Sequence, residues 1–383
     1  MRRRVVILTE IISPYRIPLF NALARCPDVN LHVIFLAETD PSLRQWQIYK
    51  NEIRFSYQVL PSWRRRVGKY NFLLNRGVMK ALEAAAPDAI LCGGYSYVAS
   101  WQSLFWSRSH QVPFLLWSET NLQDLRRGTW IVESLKKEFL SRCTAFVVPG
   151  QSARAYFRAH RVDSENIFTA PNAVDNDLFT AASERARSQP GQVRKELVLP
   201  VRYFLFAGRL IPEKGVFDLL NGYAKLESPL REQIGLVFVG EGTARAALQQ
   251  QAATISPGVV RFAGFVQRDD LAKYYALADA LILPTHSDPW GLVVNEAMAC
   301  ELPIVVTEVA GCAPDLVKSE WNGFSVPPAD VSSLSNAMAR LAAQPDLSRK
   351  MGANSKQLIA NFSAERWASA ISSAVTLVVR SHD

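Results

Sequence analysis

The chain alternates short apolar runs with helical stretches twice over, and this alternation limits its possible folds more than any other feature. In the first half, segments of helical character separate the runs VVILTE, LHVIFLAE, DAILCGG, PFLLWSE and AFVVPG. The second half repeats the pattern with YFLFAGRL, IGLVFVGEG, VVRFAGF, ALILPT and IVVTE. Strands that alternate with helices predict parallel sheets covered by helices. The sequence therefore predicts an α/β protein with two doubly wound domains in tandem.

Length and composition agree with two domains. A chain of 383 residues is too long for a single core, and 49% hydrophobic with 20% charged residues is typical of a globular protein. Residues 181–199 are polar and have little periodicity, so we predict a linker there. It would join an N-terminal domain over residues 1–180 to a C-terminal domain over residues 200–360.

Three features predict a cytoplasmic protein. The apolar run of the N-terminal segment MRRRVVILTEII is interrupted by Thr9 and Glu10, and no small-residue cleavage site follows it, so it predicts a first strand and not a signal peptide. The five cysteines show no paired spacing, which is typical of free thiols in a reducing compartment. No apolar run approaches the roughly 18 residues of a membrane-spanning helix.

The positive charge lies in the first half of the chain. Residues 1–180 hold 23 Lys and Arg against 15 Asp and Glu, whereas residues 181–383 hold 20 of each. In SWRRRVGKYNFLLNRGVMK, the aromatic residues Trp63, Tyr70 and Phe72 alternate with cations. This mixture favours either an anionic membrane surface or an ordinary solvated loop that runs into a helix. Nucleic acid is a weaker candidate, because no nucleic-acid-binding motif accompanies the charge.

Candidate site residues follow the predicted strands. Ligands of open α/β sheets bind at the carboxyl ends of the strands. Glu119 follows PFLLWS, Arg209 follows YFLFAG, Glu241 follows LVFV within Gly-Glu-Gly, and Asp288 follows ALILPT. Two such domains that face each other across a central cleft would hold a donor on one side and an acceptor on the other.

Asp288 and Glu296 stand eight positions apart in SDPWGLVVNEAMACELP. In one helix they would lie roughly 12 Å apart, so they converge only if Asp288 is in a loop and Glu296 is in the helix that follows. The start of that helix offers N–H groups to a phosphate, and each carboxylate accepts hydrogen bonds from sugar hydroxyls. The spacing predicts a nucleotide-sugar site. The alternative is that Asp288 caps the helix and Glu296 faces solvent.

Arg209 and Lys214 in GRLIPEKG suit a diphosphate, because they combine a forked guanidinium with an ammonium near a helix start. Alternatively, they pair with Asp218 and Glu213 on the surface. The P-loop signature is absent, and Gly-Glu-Gly lacks the third glycine of a dinucleotide fingerprint.

Two further segments have either a ligand-binding or a structural interpretation. Phe265 and Val266 follow a strand, where they would contact a planar base or belong to core and turn, whereas Phe262 is predicted to be core. His286 lies beside Asp288 and would touch a phosphate or sugar, or be structural. The five histidines show no metal-ligand spacing, so no metal site is predicted.

The motifs GRLIPEKG, VGEG, GFV, the Asp288 to Glu296 segment, GCAPDLV and NGFSVPPAD occur in this order, with PYRIPLFNAL and PNAVD before them. In this order they resemble the retaining glycosyltransferases of family 4. The resemblance implies the GT-B fold of two Rossmann-like domains and metal-independent transfer from a nucleotide-sugar, with no cofactor. It also implies that residues 361–383 form a C-terminal helix that crosses back to the N-terminal domain.

The resemblance assigns roles to individual residues. Arg209 and Lys214 would hold the diphosphate and stabilise the leaving group, and Glu296 would bind the ribose. Asp288, which stands where the family usually has Glu, would contact the transferred sugar. The remaining donor contacts would be Glu241, Phe265, Val266 and the amides near Gly291, Leu292 and Val293.

The acceptor side departs from the family. Glu119 stands near the position where many relatives have His, and would act as an acceptor-side base or a polar contact to the reacting sugar. Ile12-Ser13-Pro14-Tyr15-Arg16 replaces the usual glycine-rich turn after the first strand, and Glu301 replaces a glycine before Leu-Pro.

The expected function is transfer of a hexose from a UDP- or GDP-sugar to a saccharide or lipid-linked acceptor in polysaccharide or glycoconjugate biosynthesis. The enzyme would be cytoplasmic or peripheral on the inner face of a membrane. The alternatives are a non-catalytic partner subunit that binds sugar-nucleotides, which the departures favour, and a sugar-nucleotide epimerase.

Overall fold

A computed structural model describes residues 2–40, 45–67, 70–123 and 130–381. The chain divides into two compact units. The first unit comprises residues 1–122, 126–173 and 364–383, and the second comprises residues 123–125 and 174–363.

The first unit is built on a seven-stranded parallel sheet with the strand order β3-β2-β1-β6-β7-β8-β9. Its central strands are buried on both faces, as parallel strands covered by helices must be. A separate antiparallel pair, β4 and β5, belongs to the same unit. The strands are β1 (Arg3–Thr9), β2 (Val29–Phe35), β3 (Ser56–Val59), β4 (Ser62–Val67), β5 (Tyr70–Asn75), β6 (Ala89–Gly93), β7 (Phe114–Trp117), β8 (Ala145–Val148) and β9 (Ile167–Thr169).

In the part of the chain that the structure describes, five helices connect these strands: α1 (Ile17–Arg25), α2 (Val78–Ala85), α3 (Val98–Ser109), α4 (Trp130–Arg142) and α5 (Gln151–Ala159). Buried side chains of α2, α3, α4 and α5 form one core cluster with the sheet, and those of α1 belong to a second cluster. The sheet therefore has a core on each face.

The second unit is built on a six-stranded parallel sheet with the order β12-β11-β10-β13-β14-β15. Its helices are α6 (Asn176–Ser188), α7 (Pro190–Leu197), α8 (Val216–Ala224), α9 (Ser228–Gln233), α10 (Arg245–Ala252), α11 (Arg268–Leu277), α12 (Leu292–Ala299), α13 (Ala313–Leu316), α14 (Val331–Ala343) and α15 (Pro345–Ile359). Its strands are β10 (Tyr203–Ala207), β11 (Gly235–Val239), β12 (Val260–Gly264), β13 (Ala280–Leu283), β14 (Ile304–Thr307) and β15 (Gly323–Val326).

The last helix, α16 (Ala364–Arg380), belongs to the first unit and packs against α1. Trp367 is fully buried and its ring lies 5.2 Å from that of Trp117 and 5.9 Å from that of Phe20. The helix therefore covers the α1 face of the first sheet. Among the described residues, no helix has both the length and the apolar character needed to cross a membrane.

The linker predicted over residues 181–199 is wrong, because α6 and α7 occupy it and the second unit begins at Val174. Phe179, Ala186 and Val193 place their side chains in the core of the second unit. Asp175 caps α6 by accepting a hydrogen bond from the amide of Leu178 at 3.0 Å. The segment looks polar because only a narrow face of each helix is buried.

The basic aromatic segment is neither a loop nor the start of a helix over most of its length. Residues 62–67 and 70–75 form the antiparallel strands β4 and β5, which we call the β4–β5 hairpin, and α2 begins only at Val78. Lys69 lies outside the described residues. Helix α4 was also missing from the sequence prediction, because its apolar residues do not concentrate on one face.

Candidate functional site

The candidate site of the second unit lies where its strand order reverses. The chain passes from β10 to β11 and β12 on one side, and then returns to β13 on the other side of β10. The loops that leave β10 and β13 therefore diverge at their carboxyl ends, where open α/β sheets bind ligands. These two loops carry Arg209, Lys214 and Asp288, and the fold brings Lys214 into contact with Asp288, which lies 74 positions further along the chain.

Glycines let the backbones of these loops touch. A Cβ atom on Gly215 would lie 1.8 Å from the carbonyl oxygen of Pro284, and one on Gly240 would lie 1.9 Å from that of Gly208. Gly215 and Gly240 also have positive φ angles of 65° and 136°. The glycines of the Gly-Glu-Gly segment thus serve backbone-to-backbone packing, whatever they do toward a ligand.

Lys214 pairs with Asp288. Its Nζ lies 2.5 Å from Asp288 Oδ2 and donates to the carbonyl oxygen of Ser287 at 3.4 Å, with 12% of the Lys214 side chain exposed. The alternative, in which Lys214 pairs with Asp218 or Glu213 on the surface, is wrong, because Lys214 pairs with Asp288 and Asp218 pairs with His286. Arg209 is exposed immediately after β10. The loop therefore presents a guanidinium at its surface and an ammonium deeper inside.

Asp288 lies in the loop before α12, as its spacing from Glu296 predicts. Its Oδ1 accepts a hydrogen bond from the amide of Trp290 at 3.2 Å, and its carbonyl oxygen accepts one from Gly311 at 2.9 Å. With 16% of its side chain exposed, Asp288 braces this loop from three directions. The carboxylate of Asp288, which is one carbon shorter than the Glu usual in the family, is thus bound by groups of its own loop and by Lys214.

Helix α12 begins after Gly291, which has a φ of 96° and takes the left-handed conformation that glycine favours. The amides of Leu292 and Val293 belong to the first turn, where N–H groups have no acceptor within the helix. Trp290 is buried and donates its Nε1 hydrogen to Asn295 Oδ1 at 2.9 Å, which fixes the turn before the helix. The helix N-terminus therefore opens beside Asp288.

Glu296 sits in the second turn of α12 and is half-buried. The hydroxyl of Tyr275 donates to its Oε2 at 2.8 Å. Burial raises the pKa of Glu296 to about 7, although the Tyr275 hydrogen bond and the charge of Arg268 act in the opposite direction. The sequence carried no signal for Tyr275, which precedes Glu296 by 21 positions on another helix. At neutral pH the side chain of Glu296 is therefore close to its pKa, and burial disfavours its charged form.

The other predicted donor contacts have mixed surroundings. Glu241 pairs with Arg245 one turn along α10, which engages its carboxylate locally. Phe265 is 40% exposed, and Val266 packs partly against the core. Phe262 stacks on Phe238 with 5.1 Å between ring centroids, as expected for a core residue. An exposed Phe265 after β12 leaves an aromatic face open to a planar ligand.

His286 pairs with Asp218. Its Nε2 lies 2.5 Å from Asp218 Oδ2, and its amide donates to the carbonyl oxygen of Glu213 at 2.9 Å. These contacts fasten the β13 loop to the start of α8. The pair lines a pocket of about 240 Å³ together with Pro212, Glu213, Gly215 and Phe217. Ligand pockets usually exceed roughly 300 Å³, so this one is small for a whole nucleotide-sugar.

Glu119 follows β7 in the first unit, as predicted. The side-chain amide of Asn172, which is buried, donates to Glu119 Oε1 at 3.0 Å. Asn172 belongs to the PNAVD segment, so the structure joins two motifs that are 53 positions apart.

The first unit also has a reversal of strand order, between β1 and β6. There the guanidinium of Arg16 lies 4.4 Å from the centre of the Trp117 ring and donates to Thr9 Oγ1 at 2.6 Å. Burial and the neighbouring Glu10 carboxylate raise the pKa of Tyr97. Charged and aromatic side chains therefore occupy this edge.

Arg64 of the hairpin reaches the same edge. It pairs with Asp40, which is 2% exposed, and its Nη2 lies 3.4 Å from Glu10 Oε1. The sequence did not predict these residues, Glu10, Arg16, Asp40 and Arg64, as site residues. Each lies at a different position relative to its strand, so together they form no motif with a fixed spacing.

Comparisons with known proteins place the chain among glycosyltransferases. The sequence model described as "Glycosyltransferase Family 4" matches residues 19–178, and the one described as "Glycosyl transferases group 1" matches residues 192–358. The D-inositol 3-phosphate glycosyltransferase of Streptomyces bingchenggensis is 31% identical over 231 residues, which are 57% of this chain and 50% of that protein. That of Streptomyces scabiei is 30% identical over 243 residues, or 61% of this chain and 53% of that protein. The chain thus spans about half the length of these curated relatives.

Solved structures show the same fold over nearly the whole chain. HepE of Anabaena, determined in complex with UDP, has a TM-score of 0.76 at 18% identity and covers 98% of this chain and 100% of its own. A glycosyltransferase of Rickettsia africae has a TM-score of 0.77 at 13% identity and covers 99% of this chain and 100% of its own. The two family matches together span most of the sequence, so this chain belongs to the group 1, family 4 glycosyltransferases with the GT-B fold of two Rossmann-like domains.

Proposed function

We propose that this protein is a retaining glycosyltransferase that moves a hexose from a UDP- or GDP-sugar to a saccharide or lipid-linked acceptor, without a metal ion or other cofactor. It would act in polysaccharide or glycoconjugate assembly, in the cytoplasm or on the inner face of a membrane. One observation carries the proposal. At the strand-order reversal of the second sheet, Lys214 of the β10 loop contacts Asp288, which precedes the N-terminus of α12.

The charges at this place suit a donor diphosphate. Arg209 is exposed, Lys214 lies within contact of Asp288, and the first turn of α12 supplies amides with no helical acceptor. HepE, which shares the fold, has been solved with UDP and with UDP-glucose. We therefore assign the diphosphate to Arg209, Lys214 and the amides near Gly291, and the ribose to Glu296.

Transfer breaks the bond between the anomeric carbon and the diphosphate oxygen, which keeps the bonding electrons. A new bond forms from that carbon to the acceptor oxygen, and the hydroxyl proton of the acceptor passes to a phosphate oxygen of the departing diphosphate. The departing diphosphate gains negative charge, which preorganised cations stabilise without reorganising. Arg209 and Lys214 would supply that stabilisation. Lys214 would exchange part of its contact with Asp288 for the diphosphate, which would release Asp288 toward hydroxyls of the sugar.

The test is transfer by the purified protein in the presence of a metal chelator. Glu296→Ala should reduce kcat/KM for the donor at least ~100-fold, because the half-buried carboxylate would bind the nucleotide in the transition state as well as the ground state. Glu232→Ala, an exposed acidic residue on α9, is the matched control and should retain normal transfer. A wild-type kcat/KM of Glu296→Ala for the donor, or complete dependence on added metal, would refute the assignment.

The contact between Lys214 and Asp288 also fits a partner subunit that binds sugar-nucleotides without catalysis, because both side chains are engaged with each other. Calorimetry with UDP- and GDP-sugars, joined to a screen of acceptors by mass spectrometry, separates the two. Binding without transfer or hydrolysis would favour the subunit. A new sugar-nucleotide formed without an acceptor would indicate an epimerase.

A further inference from the structure

The β4–β5 hairpin turns hydrophobic side chains outward. In this ladder Trp63 pairs with Leu74, and Arg65 pairs with Phe72, so these residues share one face. Trp63 is 53% exposed, Phe72 is 50% exposed and Leu74 is 44% exposed. An antiparallel pair with one buried face normally places polar residues outside. The stability of the fold therefore gives no reason for large apolar residues at these positions.

The opposite face of the hairpin holds it against the body of the unit. Leu73 is buried in the core cluster that contains α2, α3 and α4. Arg64, its partner in the ladder, pairs with the buried Asp40. Asn75 donates its side-chain amide hydrogen to the carbonyl oxygen of Leu36 at 2.5 Å. Since apolar and ionic contacts both anchor the hairpin, its outer face has a fixed direction.

The same side of the sheet carries most of the exposed apolar surface. Among the described residues, the first unit has fourteen exposed large hydrophobic side chains and the second has four. Ten of the fourteen lie on the hairpin, α2, α3 and α4, which all pack on one side of the first sheet. Strand β5 contacts α3, and Arg142 of α4 lies 5.7 Å from the ring of Phe105 on α3. Exposed apolar surface concentrated in this way marks an interaction site.

The positive charge of the hairpin favours an anionic partner. Residues 61–77 hold five Lys and Arg and no Asp or Glu. Arg65 is exposed on the same face as the apolar residues. Aromatic and aliphatic side chains with adjacent cations match a lipid surface, where the rings enter the interface and the cations meet anionic head groups.

We propose that the outer face of the β4–β5 hairpin, next to α3, docks on an anionic phospholipid bilayer. This inference rests on the proposed transferase function, for which it names the acceptor as lipid-linked. The inner face of the hairpin, through Arg64, reaches Glu10 and Asp40 at the carboxyl edge of the first sheet. Membrane docking would thus place a lipid-borne saccharide at the edge where Glu10, Tyr97 and Glu119 follow their strands.

The experiment is co-sedimentation with vesicles of phosphatidylglycerol and phosphatidylcholine in equal parts, and with pure phosphatidylcholine. Wild-type protein should bind the anionic vesicles and release them near ~0.5 M salt. The triple variant Trp63→Ser, Phe72→Ser, Leu74→Ser should lose at least ~10-fold in affinity, and Arg65→Ser about fivefold. The matched control is Leu377→Ser on α16, which is 53% exposed on the opposite side of the sheet and should bind as the wild type does.

Two further measurements keep the outcomes separate. Equal melting temperatures and equal affinity for UDP would show that the triple variant is folded. Vesicle binding without any sugar transfer would sink the proposed function and leave the docking face standing. Absence of wild-type binding to anionic vesicles, equal binding by the triple variant, or a dimer that the triple variant dissociates in ultracentrifugation would each overturn the docking face.

Discussion

The two units place comparable strand-order reversals in different chemical surroundings. In the second unit, the loops after β10, β11 and β13 pack backbone against backbone, and glycines such as Gly215 make that contact possible. In the first unit, the edge near β1 and β6 is filled by side chains, with Arg16 over the Trp117 ring and Arg64 paired to Asp40. One edge is shaped by the main chain, and the other by ion pairs and aromatic rings.

The difference decides which site a sequence reveals. A loop shaped by its backbone needs glycine at fixed positions, and these positions form a readable motif such as GRLIPEKG. An edge shaped by side chains tolerates many combinations, because Arg, Asp and Glu reach one another from different distances along the chain. The second unit therefore showed its candidate site in advance, whereas the first showed little beyond Glu119.

The largest effect is expected from adding one carbon at the backbone contact. In Gly215→Ala the new Cβ would lie 1.8 Å from the carbonyl oxygen of Pro284, and the residue would keep a φ of 65°. Backbone cannot move aside cheaply, so we expect a loss of at least ~3 kcal/mol in the free energy of unfolding of the second unit. Urea unfolding followed by circular dichroism measures it.

Gly94 of the first unit is the matched control for this change. It also has a positive φ, of 105°, but a Cβ there would meet nothing within 4 Å. Gly94→Ala should therefore cost only the ~1–2 kcal/mol of the unfavourable conformation. Equal losses for the two variants would contradict the distinction between a backbone-shaped and a side-chain-shaped edge.

Much of the architecture could be predicted from the sequence, for a physical reason. The core strands of parallel sheets are buried on both faces, so they form continuous apolar runs such as YFLFA, which becomes β10. All ten predicted runs are strands in the structure. The loop position of Asp288 and the helical position of Glu296 also followed from their spacing.

The missed features depend on contacts between distant residues. Helices α6 and α7 looked like a linker, because Phe179 and Val193 are isolated apolar residues in a polar segment. The β4–β5 hairpin was hidden because β4 contains three consecutive arginines and β5 contains Phe-Leu-Leu, so neither strand shows a clean alternation of apolar and polar residues. The Tyr275 hydrogen bond to Glu296 joins two helices and leaves no trace in local spacing.

We expect an effect of intermediate size on the free energy of unfolding when Glu296 of the second unit loses its charge. Burial raises the pKa of Glu296 from 4.5 to about 7, so the folded protein binds a proton that the unfolded chain releases. The stability that this proton contributes is complete below pH 4.5 and is lost as the pH rises to about 7. Glu296→Gln keeps the shape and removes the charge. At pH 8 it should raise the free energy of unfolding by roughly 1–3 kcal/mol, and at pH 4.5 it should change it little.

Tyr275→Phe gives a second test of how Glu296 makes the free energy of unfolding depend on pH. Loss of its hydrogen bond should raise the pKa of Glu296 further, so the pH range of declining stability should extend upward. Unfolding curves at a series of pH values report both variants. A Glu296→Gln protein that is less stable than the wild type at pH 8 would show that the carboxylate is better accommodated than its burial implies.

We expect the smallest effect at Glu301, a residue of the second unit that has a positive φ angle although it is not glycine. Glu301 has a φ of 60°, which glycine would adopt without strain, yet its carboxylate lies 2.5 Å from Lys356 Nζ and 3.1 Å from Arg187 Nη1. Glu301→Ala keeps the strain and loses both ion pairs, so it should cost about 1 kcal/mol. Glu301→Gly loses the same pairs but relieves the strain, and should be within ~0.5 kcal/mol of the wild type. Thermal unfolding decides between them, because a glycine variant less stable than the alanine variant would mean that the backbone at Glu301 is not strained.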